Sequence, residues 1–194
     1  MINELIHYKK FYRLYFLFKN KNHSHLILSG VKDVGKTYFI KKLFEKLYPS
    51  TLKQINKEDY KVCHNNYYYY INCFSINNKQ TFLEYFKELI RTYDHYNNHY
   101  KYIILDSFEY INQNIQNSLK VIIEKASFTS KIIIITNKVN KIITPIKSRC
   151  INITLSYNVY YNFIYFKYFF KKNKMIDNNF ILLEDCKKYS ISYI

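Results

Sequence analysis

Both glycines of this 194-residue chain fall in one octapeptide, Gly30-Val31-Lys32-Asp33-Val34-Gly35-Lys36-Thr37, which reads G-x-x-x-x-G-K-[ST]. A backbone that closes around an anion needs N–H groups converging on it, and glycine permits the positive φ and close approach this demands. In such a loop the lysine reaches the β- and γ-phosphates of a nucleoside triphosphate, and the adjacent hydroxyl binds Mg²⁺. The candidate phosphate-binding set is therefore the whole octapeptide, with Lys36 as the cation and Thr37 as a metal ligand. A second acid-bearing position is Asp106, which closes the apolar run Tyr102-Ile103-Ile104-Leu105-Asp106. A carboxylate at the C-terminal end of a buried strand lies where open α/β sheets collect their ligands. Asp106 is expected to join Thr37 in holding Mg²⁺; the bland alternative is an aspartate that caps the following segment.

Those residues must be positioned by strands and helices in the right order. His25 to Ser29 is a short apolar strand ahead of the loop, and Tyr38 to Tyr48 follows it with apolar residues at helical spacing. Four more apolar runs, 67–73, 102–106, 131–136 and 151–155, alternate with helical patterns over 80–93 and 113–126. This alternation predicts a five-stranded parallel sheet flanked by helices. Residues 49–66 are polar and read as an irregular connection, with room for a helical turn over 53–60. The expected organisation is an α/β nucleotide-binding domain over 1–156 and a small helical segment over 157–194.

Composition narrows the class. Hydrophobic residues make up 48% and aromatics 20% of the chain, ample for a core. The net charge of +16 favours polyanionic partners. Heavy use of Lys, Asn, Ile and Tyr beside scarce Gly, Pro and Trp also fits an AT-rich genome, so part of that charge reflects codon bias. Cys63, Cys73, Cys150 and Cys186 lack C-x-x-C spacing, which argues against a zinc site or a disulfide framework and for a reducing, intracellular compartment. His95 and His99 stand at i, i+4 without a suitable third ligand and read as ordinary surface or core histidines. Residues 1–18 interrupt their apolar stretch with Lys9, Lys10 and Arg13, unlike a secretion signal. Tyr157 to Phe170 is too short and too charged for a membrane span.

From Asn137 the chain continues Asn137-Lys138-Val139-Asn140-Lys141-Ile142-Ile143-Thr144-Pro145-Ile146-Lys147-Ser148-Arg149-Cys150. With the octapeptide, the strand aspartate and the closing Ser-Arg-Cys, this resembles the replication factor C small subunits over roughly residues 22–156. The resemblance implies an AAA+ domain, followed by a partial helical lid, that binds ATP with Mg²⁺. It further implies paralogous clamp-loader subunits, a sliding clamp and primer-template DNA as partners, in a nucleus, cytoplasm or viral factory. It makes Asn137 the sensor of the γ-phosphate or attacking water, and Arg149 the arginine offered to the nucleotide of a neighbouring subunit. The implied catalytic set is Lys36, Asp106, Asn137 and Arg149.

Three departures qualify that picture. Ser107 occupies the position where active relatives place a water-polarising glutamate, and a serine is no equivalent base at neutral pH. ATP binding is thus better supported than ATP turnover; Glu109, two residues further on, matches the last acid of the family's Asp-Glu-Ala-Asp stretch and is not taken as the base. The Trp-x-x-Lys-Tyr-Arg-Pro box that precedes the loop in the family is missing. Residues 157–172 and 178–189 resemble the first lid helices, and the chain reaches Ile194 near where the second sensor would begin. Non-specific DNA contact would fall to Lys138, Lys141 and Lys147, with Asn112, Gln113 and Gln116 opening the preceding helix. Two other readings stay open, a P-loop ATPase of DNA repair or helicase loading and a catalytically inactive structural subunit.

Overall fold

Strict alternation of side chains along each central strand divides the core in two. In the computed structural model, which describes residues 7–20, 23–56, 59–91, 100–126 and 129–156, β1 (His25–Gly30) sends Leu26 and Leu28 to one face and Ile27 to the other. β5 (Lys101–Asp106) and β6 (Ser130–Thr136) do the same with Tyr102 and Ile104 against Ile103 and Leu105, and with Ile133 and Ile135 against Ile132 and Ile134. A strand apolar on both sides must be covered on both sides. Helices α1 (Tyr8–Lys19) and α2 (Lys36–Leu47) cover the first face, and α3 (Lys79–Arg91) and α4 (Gln113–Ala126) the second.

The sheet has seven strands in the order β2-β3-β4-β5-β6-β1-β7, where β4 is Tyr68–Asn72 and β7 is Cys150–Leu155. The five strands read from the sequence, β1, β4, β5, β6 and β7, are all parallel to one another. Residues 49–66 correct the sequence reading: β2 (Lys53–Asn56) and β3 (Lys61–His64) extend the sheet antiparallel from β4. Every residue of β2 is exposed, and in β3 only Val62 is buried. An edge hairpin with so little burial carries no apolar alternation, so its register, Lys53 opposite His64, depends on the strand it docks against. Helix α1 is likewise a tertiary feature. Phe11, Leu14 and Phe18 form its buried stripe, and Phe11 meets Phe39 of α2 edge-to-face with centroids 5.6 Å apart.

β1 lies between β6 and β7, so the loop that follows it stands beside the C-terminal ends of β6 and, one strand further, β5. The helical segment expected over 157–194, and His95 and His99, lie outside the described residues. Among the described residues, Cys63, Cys73 and Cys150 are free thiols, and no helix is long and apolar enough to cross a membrane.

Candidate functional site

Each glycine of the octapeptide has its own backbone reason. Gly30 has φ +154°, and a Cβ there would stand 2.3 Å from the carbonyl oxygen of Leu155 on β7. Gly35 has φ +86°, with open space around the place of a Cβ, so conformation rather than crowding selects it. Asp33 is also left-handed at φ 62°, a conformation that aspartate tolerates better than most residues. The result is a tight turn from β1 into the N-terminus of α2, where unpaired N–H groups and the helix dipole favour an anion.

Lys36 opens α2 and is buried, with Nζ donating to the carbonyl oxygens of Gly30 (3.0 Å) and Val31 (2.6 Å). Burial lowers its pKa, while the charges of Glu109, Asp106 and Asp33 pull it back up. Its ammonium is thus anchored by two neutral acceptors that an incoming phosphate oxygen can replace. Thr37 Oγ1 donates to Asp106 Oδ2 at 2.7 Å, joining α2 to the end of β5. That oxygen also accepts from Tyr70 Oη of β4 at 2.5 Å, and Oδ1 accepts the Ser107 N–H at 2.7 Å. A hydroxyl and a carboxylate supply hard oxygen donors, the chemistry Mg²⁺ takes from a protein when phosphates and water complete its shell. Thr37 and Asp106 therefore fit the expected metal.

Asn137 follows β6, and its side-chain nitrogen donates to Glu109 Oε1 at 2.7 Å. The Asn137 backbone N–H (3.2 Å) and Thr136 Oγ1 (2.9 Å) both donate to Glu109 Oε2. Burial by itself would raise the pKa of Glu109, but a hydrogen bond to the carboxyl from its own backbone, together with these bonds, outweighs it and holds the carboxyl below its ordinary value. Glu109 is accordingly a strut between the end of β5 and the end of β6. Ser107, where relatives place the glutamate, is left-handed at φ 56°, ψ 44° and half-buried.

The structure thus brings Lys36, Thr37, Asp106 and Asn137 to one sheet edge. Arg149 is held within its own chain, where its guanidinium pairs with Glu124 of α4 and donates to the Pro145 carbonyl at 2.5 Å. It lies after the short helix α5 (Thr144–Lys147), partly exposed. Among the DNA-contact candidates, Lys138, Lys141, Asn112 and Gln113 are exposed and Lys147 half-buried. Gln116 is corrected: it is 1% exposed, donates to the carbonyls of Ile111 and Lys141, and accepts the Ile143 N–H. With donor and acceptor both engaged inside the protein, it ties α4 to residues 141–143. Tyr70 and Thr136 were not legible as site residues. Tyr70 stands in a run of four tyrosines, and nothing in the run marks which ring reaches Asp106.

A doubly covered, mostly parallel sheet, a glycine-lysine loop after the interior strand β1 and an acid at the end of the strand two places away define an AAA+ domain. Residues 9–158 match the family described as DNA polymerase III, delta subunit. The chain belongs to that family, a clamp-loader-like family of DNA replication proteins. It is 26% identical over 157 residues to a protein of Acanthamoeba polyphaga mimivirus named as a replication factor C small subunit, an alignment covering 71% of this chain and 42% of that protein. The fold is similar to a DNA polymerase III gamma subunit-related protein of Thermotoga maritima (TM-score 0.54, 14% identity, 79% of this chain and 48% of that one). It is similar also to the Orc1 protein of Aeropyrum pernix, solved in complex with DNA (TM-score 0.57, 12% identity, 84% and 49%). The chain spans about half the length or less of these relatives.

Proposed function

We propose that this chain binds Mg·ATP in the Gly30–Thr37 loop and serves as a replication factor C-like subunit among paralogous subunits that load a sliding clamp on primer-template DNA. The observation that carries the reading is the 2.7 Å bond from Thr37 Oγ1 to Asp106 Oδ2, which joins the loop to the strand acid at one edge. Lys36 exchanges its carbonyl partners for phosphate oxygens, and Thr37 and Asp106 hold the metal. When bound, Mg·ATP supplies a transferable phosphoryl group. Asn137 presents its amide at the end of β6, positioned through Glu109.

The chain's own residues suit holding nucleotide better than rapid turnover. Ser107 is no base at neutral pH, and the carboxylate of Glu109 is engaged by three donors. This favours a subunit that binds ATP and offers Arg149 to a neighbour's nucleotide, once the guanidinium exchanges Glu124 for that site. Contact with DNA would be to phosphates, through Lys138 and Lys141, and salt-sensitive.

Calorimetric titration of the folded chain with ATP and MgCl₂ tests the reading. Saturable binding is expected, weakened about a hundredfold in Lys36→Ala, the order of magnitude of losing charge-assisted hydrogen bonds to phosphate. No heat of binding, or equal binding by Lys36→Ala, would refute it.

A further inference from the structure

The strand acid is held by a side chain that the phosphate-loop pattern does not include. Tyr70 lies opposite Ile104 in the parallel register of β4 on β5, and Asp106 lies opposite Asn72, two residues on. A phenol is long enough to span that offset, and its hydroxyl donates to Asp106 Oδ2 at 2.5 Å, the oxygen that also takes the Thr37 proton. The ring is fixed independently of its hydroxyl. It packs against the apolar core under α2, and Lys41 Nζ stands 5.0 Å from its centroid. Asp106 itself is only 7% exposed, so water contributes little to its orientation.

We propose that Tyr70 is a positioning residue that orients Asp106 toward a divalent cation and thereby sets the Mg²⁺ concentration at which the chain binds ATP. The inference rests on the nucleotide site proposed above. The argument is one of lone pairs. The Ser107 N–H occupies Oδ1, and two hydroxyl protons converge on Oδ2. With these three donors in place the carboxylate has a single orientation. Thr37 keeps donating its proton to Asp106 while a lone pair on its oxygen is free for a cation, so Thr37 both donates to Asp106 and ligates. Thr37 belongs to the loop and Ser107 is the residue after Asp106, whereas Tyr70 comes from the neighbouring strand. It couples β4 to the metal site. Hydrogen-bond partners of metal ligands typically govern about 10- to 100-fold in metal affinity.

The experiment uses the full chain and Tyr70→Phe, which retains the ring and its contact with Lys41 and removes only the hydroxyl. ATP binding is followed by calorimetry across a MgCl₂ series and again in EDTA. The expected result is a Mg²⁺ midpoint raised at least tenfold in Tyr70→Phe, with unchanged affinity for metal-free ATP. A mere packing role would leave the midpoint where it is, because the ring is intact. Tyr70→Leu, which gives up the ring as well, is the second variant and should raise the midpoint to the same extent. A wild-type midpoint in either folded variant overturns the proposal. Failure of the underlying site is read separately, in the wild-type chain against Lys36→Ala: no Lys36-dependent ATP binding there overturns both.

Discussion

Replacing Glu109 separates a strut from a catalytic base. The carboxylate is 8% exposed and receives Thr136 Oγ1, the Asn137 N–H and the Asn137 side-chain amide at 2.9, 3.2 and 2.7 Å. Glu109→Ala leaves those donors without their acceptor. Hydrogen bonds to a charged group contribute about 1.5–3 kcal/mol each, and because they share one acceptor group their losses do not add. A total of about 3 kcal/mol is expected, or a fall of about 6–12 °C in melting temperature for a chain of this size. Glu109→Gln should cost less, about 1 kcal/mol, since the Asn137 amide can turn its oxygen toward the new NH₂ group and keep a bond. Thermal and urea unfolding of the three proteins at pH 7 measure this order. If Glu109→Ala were as stable as the wild type while Glu109→Gln abolished ATP turnover in the assembled complex, the strut argument would fail. Glu109 would then be the base.

Two further outcomes follow from other contacts. His25 is 3% exposed, with the Ile132 N–H donating to Nδ1 at 3.0 Å and Nε2 donating to the Ile123 carbonyl at 3.1 Å, and burial with the nearby Lys131 charge lowers its pKa from 6.5 to about 4. Above pH 6.5 it is neutral in both states. Below that the unfolded chain takes up a proton the native one refuses, so stability falls until about pH 4, by about 3 kcal/mol at about 1.4 kcal/mol per pH unit. Urea midpoints from pH 7 to 4 should therefore drop more steeply for the wild type than for His25→Gln, and parallel slopes would sink the account. Arg149→Ala should leave this chain's own ATP affinity unaltered but slow hydrolysis by an assembled complex about a thousandfold, the low end for arginine fingers. Unchanged complex turnover would confine Arg149 to its pair with Glu124.

The glycine-lysine turn after β1 was legible because its demands are local. Gly35 and Gly30 answer to φ and to one carbonyl, and Lys36-Thr37 to a fixed offset along a helix start. The parallel strands were legible for a related reason: a strand buried on both faces is apolar along its middle, as four consecutive buried isoleucines, Ile132 to Ile135, show in β6. The edge hairpin β2–β3 was not, because exposed Lys53-Gln54-Ile55-Asn56 carries no pattern until β4 offers it a partner. Gln116 misled for the converse reason. A polar residue in the first turns of an amphipathic helix resembles a surface group, and here the approach of residues 141–143 engages it inside the protein.

By itself the sequence determined the class of this protein. Chain geometry around an anion, the two-residue repeat of strands and the 3.6-residue repeat of helices act over short distances, and composition must satisfy them residue by residue. The tertiary structure alone decided which groups share a proton or a lone pair. Tyr70 reaches Asp106, Glu109 is tied to Asn137, and Arg149 is latched to Glu124. Those pairings join residues 25 to 36 positions apart, and sheet order, which no local pattern encodes, brings them within hydrogen-bonding distance.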